Sequence, residues 1–115
     1  GSMSDIRKDL EERFDKLVEA LKNKVDKMKA AFRMDQFHEE RMKDWFKDLR
    51  KEVEQMRRAV RNYASEALSK INDLPITNDD KKLASNDVLK LVAEVWKKLE
   101  AILADVEAWF THHHH

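Results

Sequence analysis

The apolar positions of this chain fall into three stripes, each with the spacing of an α-helix. The first runs Ile6, Leu10, Phe14, Leu17, Leu21, Val25, Met28, Phe32. Steps of three and four that repeat every eleven residues keep close to the natural winding of a helix, so one nearly straight face is apolar. Ser4 offers an N-cap and Asp5 a negative charge at the positive helix end. The pattern predicts helix 1 over about 5–33.

Neither glycine nor proline marks its end. The signal is a change of phase. Continuing the stripe requires apolar residues near 36, 39, 43 and 47, where the chain carries Gln36, Glu39, Lys43 and Lys47. A new stripe starts at Met42 and runs through Trp45, Leu49, Val53, Met56, Val60, Tyr63, Ala67, Ile71 and Leu74. At 3.6 residues per turn the new face is rotated by roughly 100°. A tight turn at 32–36, with Asp35 as the next N-cap, accounts for the rotation. The alternative is one continuous helix whose apolar face wraps around it. With the turn, helix 2 spans about 36–72 and outlasts helix 1 by about 12 Å.

Pro75 stands in the clearest boundary, Asn72 to Asp80, because proline is costly inside a helix. Thr77 with Asp80 three residues on has the spacing of a capping box. Ser85 is a second candidate cap. Helix 3 therefore begins near Asn78, or a short helical turn precedes a main helix from Asn86. Its seam is Leu89, Val92, Trp96, Leu99, Leu103, Val106, Phe110, in the alternating steps of coiled-coil packing. Val88, Leu91, Val95, Ile102 and Trp109 flank that seam. An apolar arc this wide faces two neighbours. The prediction is all-α: an antiparallel three-helix bundle with helices at about 5–33, 36–72 and 78–110, forming one domain over 4–111.

Composition narrows the chemistry. The only glycine among 115 residues is Gly1. Phosphate loops, dinucleotide fingerprints and nucleophile elbows need glycine for close backbone approach, and none can be built here. Without cysteine, disulfides, thiolate catalysis and cysteine zinc sites are excluded. Residues 1–3 read as a cloning remnant and 112–115 as an affinity tag. Lys plus Arg and Asp plus Glu are each 23. Segment by segment the charge stays between about −2 and +1, which argues against a nucleic-acid partner and against a specific attraction to anionic membranes. No apolar run reaches the roughly 20 residues of a membrane span. Favourably ordered pairs such as Asp9/Arg13, Glu12/Lys16, Glu39/Lys43, Glu54/Arg58 and Glu94/Lys98 support helix on the exposed faces.

His38 is the only histidine outside residues 112–115. Asp35 and His38 have an i, i+3 spacing, but a carboxylate-bridged metal site in a bundle needs a second such pair and further inward glutamates. No carboxylate falls on an apolar stripe, where its protonation would be tuned for catalysis. The expectation is no enzyme: no catalytic, cofactor-binding or metal residues, no cofactor, and no small-molecule ligand. Trp45, Trp96 and Trp109 sit on or beside the stripes and read as core. A monomer is expected, with a homodimer through helix 3 as the alternative.

Taken whole, the glycine-free body, the balanced Glu/Lys/Arg surface and the strong helix formers at exposed positions make the chain resemble a computationally designed helical bundle. The irregular loop at 72–80 and the mixed apolar residues give it the look of natural helical pieces joined and resurfaced. That resemblance implies a structural scaffold with no evolved ligand or catalysis. A helical interaction module of spectrin-like or coiled-coil type is the first alternative. Residues 41–49, Arg-Met-Lys-Asp-Trp-Phe-Lys-Asp-Leu, resemble a lipid-binding helix of apolipoprotein E, which implies an amphipathic lipid-binding bundle as the second.

Overall fold

The computed structural model describes residues 2–34 and 38–113; the side chains of residues 34, 38–40 and 113 lie outside that description. Three helices account for nearly all of it: α1, Met3–Met34, α2, His38–Asn72, and α3, Asn78–His113. The chain is all-α, a three-helix bundle of long helices with extents of 61 × 18 × 17 Å. Ion pairs and ring contacts fix the directions. Arg13 meets Glu66 and Lys24 meets Glu52, so α1 and α2 are antiparallel. Arg57 meets Glu100, and Arg61 lies over Trp96, so α2 and α3 are antiparallel. Arg7 meets Asp87 and Lys29 lies over Trp109, so α1 runs parallel to α3.

Among the described residues no helix end uses a left-handed residue. At the start of α1 the cap is Ser2, not Ser4: its hydroxyl accepts from the Asp5 N–H at 3.3 Å, and its carbonyl accepts from Ile6 N–H at 3.1 Å. The helix thus begins one turn earlier than its apolar stripe. α1 ends at Met34 and α2 begins at His38, so residues 32–34 of the turn expected at 32–36 are helical and the rest of that turn lies outside the described residues. Asp35, the expected cap, lies outside the described residues. Because α1 begins at Met3 and α2 at His38, their lengths of 32 and 35 residues nearly match.

At the other end, Asp73 N–H still donates to Ser69 O, and Leu74 N–H tightens onto Ile71 O. Ile76 N–H then donates to Leu74 O at 2.9 Å, a turn centred on Pro75. Such a turn needs a φ near −75° at its centre, which the proline ring supplies. Thr77 caps α3 through Asp80 N–H at 3.1 Å. The helix then runs unbroken through Ser85, so no separate short helix precedes residue 86.

Leu21, Leu49 and Leu99, one from each helix, are fully buried at the centre. No polar or charged described residue is buried. At one end Phe32 is the hub of an aromatic cluster, with ring centroids 5.8 Å from Trp45, 4.9 Å from Trp109 and 5.4 Å from Phe110. The tryptophans pack on the core, yet each remains half-buried.

Helix 3 differs from its expected seam. Val88, Leu91 and Val95 are buried, whereas Leu89 is 56% exposed and Val92 and Trp96 are half-buried. The buried register lies one residue earlier until Leu99, where the two readings merge. An apolar arc wide enough for two neighbours contains two equally spaced seams, and docking onto both α1 and α2 selects between them.

Candidate nucleic-acid interface

Along α2, Lys43, Lys47, Arg50, Glu54, Arg57 and Arg61 follow one another at steps of four, three, four, three and four. That is one straight stripe about 27 Å long on a single flank of the helix. The flank looks onto α3. Arg57 is bonded to Glu100 and also meets Glu54 at 3.4 Å. The guanidinium carbons of Arg57 and Arg61 each stand 5.9 Å from the Trp96 ring centroid. Lys43, Lys47 and Arg50 border a cleft of about 630 Å³ that α3 closes with Glu107 and Phe110. Arg50 lies over the Phe46 ring at 4.5 Å.

Five cations and three carboxylates (Glu54, Glu100 and Glu107) therefore edge this groove. Only Arg57 is neutralised by an ion pair. Among the described residues Lys43, Lys47, Arg50 and Arg61 pair with no carboxylate; Arg50 and Arg61 lie on aromatic rings instead. Two donors at the middle of the groove, Arg57 Nε and Trp96 Nε1, are buried without an acceptor in the fold. Positive charge interleaved with aromatic faces is the surface chemistry that nucleic acid recognises: cations for phosphate, rings for bases.

The other grooves are arranged differently. Arg13 is 3.1 Å from Glu66 and Lys24 3.2 Å from Glu52 across α1 and α2, and Arg7 is 2.9 Å from Asp87 across α1 and α3. Of the expected intrahelical pairs, Asp9–Arg13 forms at 3.2 Å, whereas Glu54 reaches Arg57 rather than Arg58.

The side chains of Asp35 and His38 lie outside the described residues. Among the described residues no group of three or more metal-ligating side chains comes together. No described helix is long and apolar enough to cross a membrane.

A family model described as ribosome recycling factor matches residues 31–109. The match covers more than half of the chain and includes the whole α2 stripe and Trp96. It overturns the expectation of a designed scaffold without evolved activity, and neither the spectrin-like nor the apolipoprotein alternative fits better. The physical reason is that glycine-poor, charge-balanced sequence rich in helix formers is what any bundle of long helices needs, natural or not. In the segment 41–49, which resembled a lipid-binding helix, Leu49 is buried, and Met42, Trp45 and Phe46 pack against the core. The family is non-enzymatic, and the chain is not an enzyme.

The exclusion of nucleic acid is corrected by the same match, since a ribosome is largely RNA. Summing charge by segment mixed opposite faces of each helix. The sum over 33–74 is near zero, yet the stripe at 43, 47, 50, 57 and 61 is basic. Its three-four spacing was present in the sequence, and reading charge by helical face rather than by segment would have found it.

Proposed function

The chain belongs to the ribosome recycling factor family, and from that membership we propose that it acts on the ribosome in recycling by laying its α2–α3 groove on ribosomal RNA. The observation that carries this is the α2 stripe, in which Lys43, Lys47, Arg50 and Arg61 have no carboxylate partner among the described residues, whereas Arg7, Arg13 and Lys24 at the other two grooves are each bridged and Lys29 and Arg33 lie on the Trp109 ring. Phosphate contacts supply most of the affinity of such a surface, and each one released from counterions steepens its salt dependence. Trp96, half-buried beneath Arg57 and Arg61, adds an apolar platform in mid-groove.

Sedimentation of the chain with purified ribosomes tests the reading. The exposed pair Lys47→Glu and Arg61→Glu should lower binding about tenfold or more and flatten its dependence on salt. Arg13→Glu with Lys24→Glu, on the α1–α2 side, should leave binding within about twofold once folding is verified by circular dichroism. Equal losses from the two double variants would sink the assignment to the α2–α3 groove.

A further inference from the structure

We propose that the cleft at the N-terminal end of the α2 stripe seats a single unpaired nucleotide, its base against Met42 and Phe46 and its phosphate on Lys43, Lys47 and Arg50. This rests on the ribosomal reading above and adds to it a preference for unpaired over paired RNA.

The cleft combines two surfaces that rarely occur together. Its floor is apolar, made by Met42 and Phe46 with buried Phe110 beneath, and its volume of about 630 Å³ falls within the range of small-molecule sites. Its α2 wall carries three cations without carboxylate partners among the described residues. An apolar peptide would cover the floor and strand the charges. A duplex would meet the charges and leave the floor wet, because its bases are already stacked. A splayed nucleotide satisfies both, since every base offers a π-face and every link a phosphate. Arg50, lying 4.5 Å over Phe46, presents a second flat surface on which a base can stack.

The opposite wall sets the orientation. Glu107 on α3 also lines the cleft, and it repels phosphate. The phosphate is therefore directed to the α2 side and the base edge to the α3 side. There a carboxylate accepts a hydrogen bond from an exocyclic amino group, which adenine has and uracil lacks. The cleft is thus suited to an amino-bearing base, adenine over uracil.

Fluorescence anisotropy with the full chain and three labelled RNAs of equal phosphate number tests this: twenty-residue oligo(A), twenty-residue oligo(U) and a blunt duplex of ten base pairs, every strand carrying a 5′-phosphate. Oligo(A) should bind tightest. Phe46→Leu, which keeps most of the apolar volume, should weaken oligo(A) about tenfold and leave the duplex within about twofold. Glu107→Gln, at an exposed position, should bring oligo(A) and oligo(U) close together without touching the fold. Equal affinity of the unaltered chain for oligo(A) and duplex, or oligo(A) binding indifferent to Phe46→Leu, overturns the nucleotide seat and leaves the basic groove standing. Should Phe46→Leu lower the melting temperature sharply, Glu107→Gln alone decides: an unchanged adenine preference overturns the proposal. Failure of all three RNAs to bind the unaltered chain defeats the groove reading as well, so the two failures are distinguishable.

Discussion

The α1–α2 groove and the α2–α3 groove share a helix and draw on the same residue types, yet they present opposite surfaces. Across α1–α2, Arg13 and Lys24 each meet a glutamate of α2 at 3.1 and 3.2 Å. Across α2–α3, one bridge forms between Arg57 and Glu100, and the cations above and below it remain uncompensated or lie on rings. A chain with no net charge can thus carry a basic working face, provided its carboxylates are spent elsewhere. The lesson is that partner chemistry follows the pairing of charges by face, which neither total charge nor segment charge records.

The largest expected effect comes from removing what both grooves stand on. Phe32 is 4% exposed and touches Trp45 of α2 and Trp109 and Phe110 of α3. Phe32→Ala should cost about 3–5 kcal/mol, read from urea or thermal unfolding. A loss under about 1 kcal/mol would mean that the aromatic end does not hold the three helices together, and the geometry of both grooves would need redrawing.

The rotation of α3 sharpens the comparison at smaller cost. Val88 is 3% exposed and Leu89 56%. This rotation keeps Trp96 half-buried under Arg57 and Arg61 instead of fully in the core. Val88→Ala should lose roughly 1.5 kcal/mol or somewhat more, for two buried carbons and the space they leave. Leu89→Ala should stay within about 0.5 kcal/mol, as exposed substitutions do. The reverse ranking would restore the coiled-coil seam and take Trp96 out of the groove.

Much of the fold was legible because periodicity is a physical signal: the three stripes located three helices, Pro75 and Thr77 placed the connection between α2 and α3, and the phase change separated α1 from α2. What the stripes could not specify was which edge of a wide apolar arc turns inward, since Val88 and Leu89 are equally apolar and only docking distinguishes them. Ser2 was passed over because residues 1–3 read as a cloning remnant, yet its hydroxyl caps the first turn. The candidate interface was legible in principle. Lys43, Lys47, Arg50, Arg57 and Arg61 have helical spacing, but recognising them as a face required asking which side of α2 they share. The absence of a carboxylate across from most of them is a tertiary fact, fixed only when α1 and α3 take their places.

The smallest effect bears most directly on why the two grooves differ. The Arg13–Glu66 bridge joins side chains 38% and 60% exposed, so its Coulomb attraction is screened and partly offset by the ordering of two long chains. A double-mutant cycle with Arg13→Ala and Glu66→Ala should give a coupling of about 0–1 kcal/mol that fades in molar salt. Arg13 also lies over the Tyr63 ring at 4.8 Å, so the single variant Arg13→Ala should lose slightly more than the coupling alone. A coupling above about 2 kcal/mol would recast the α1–α2 bridges as structural clamps. A small coupling leaves charge cancellation as their main consequence: α2 turns glutamates toward α1, and the flank it turns toward α3 stays basic.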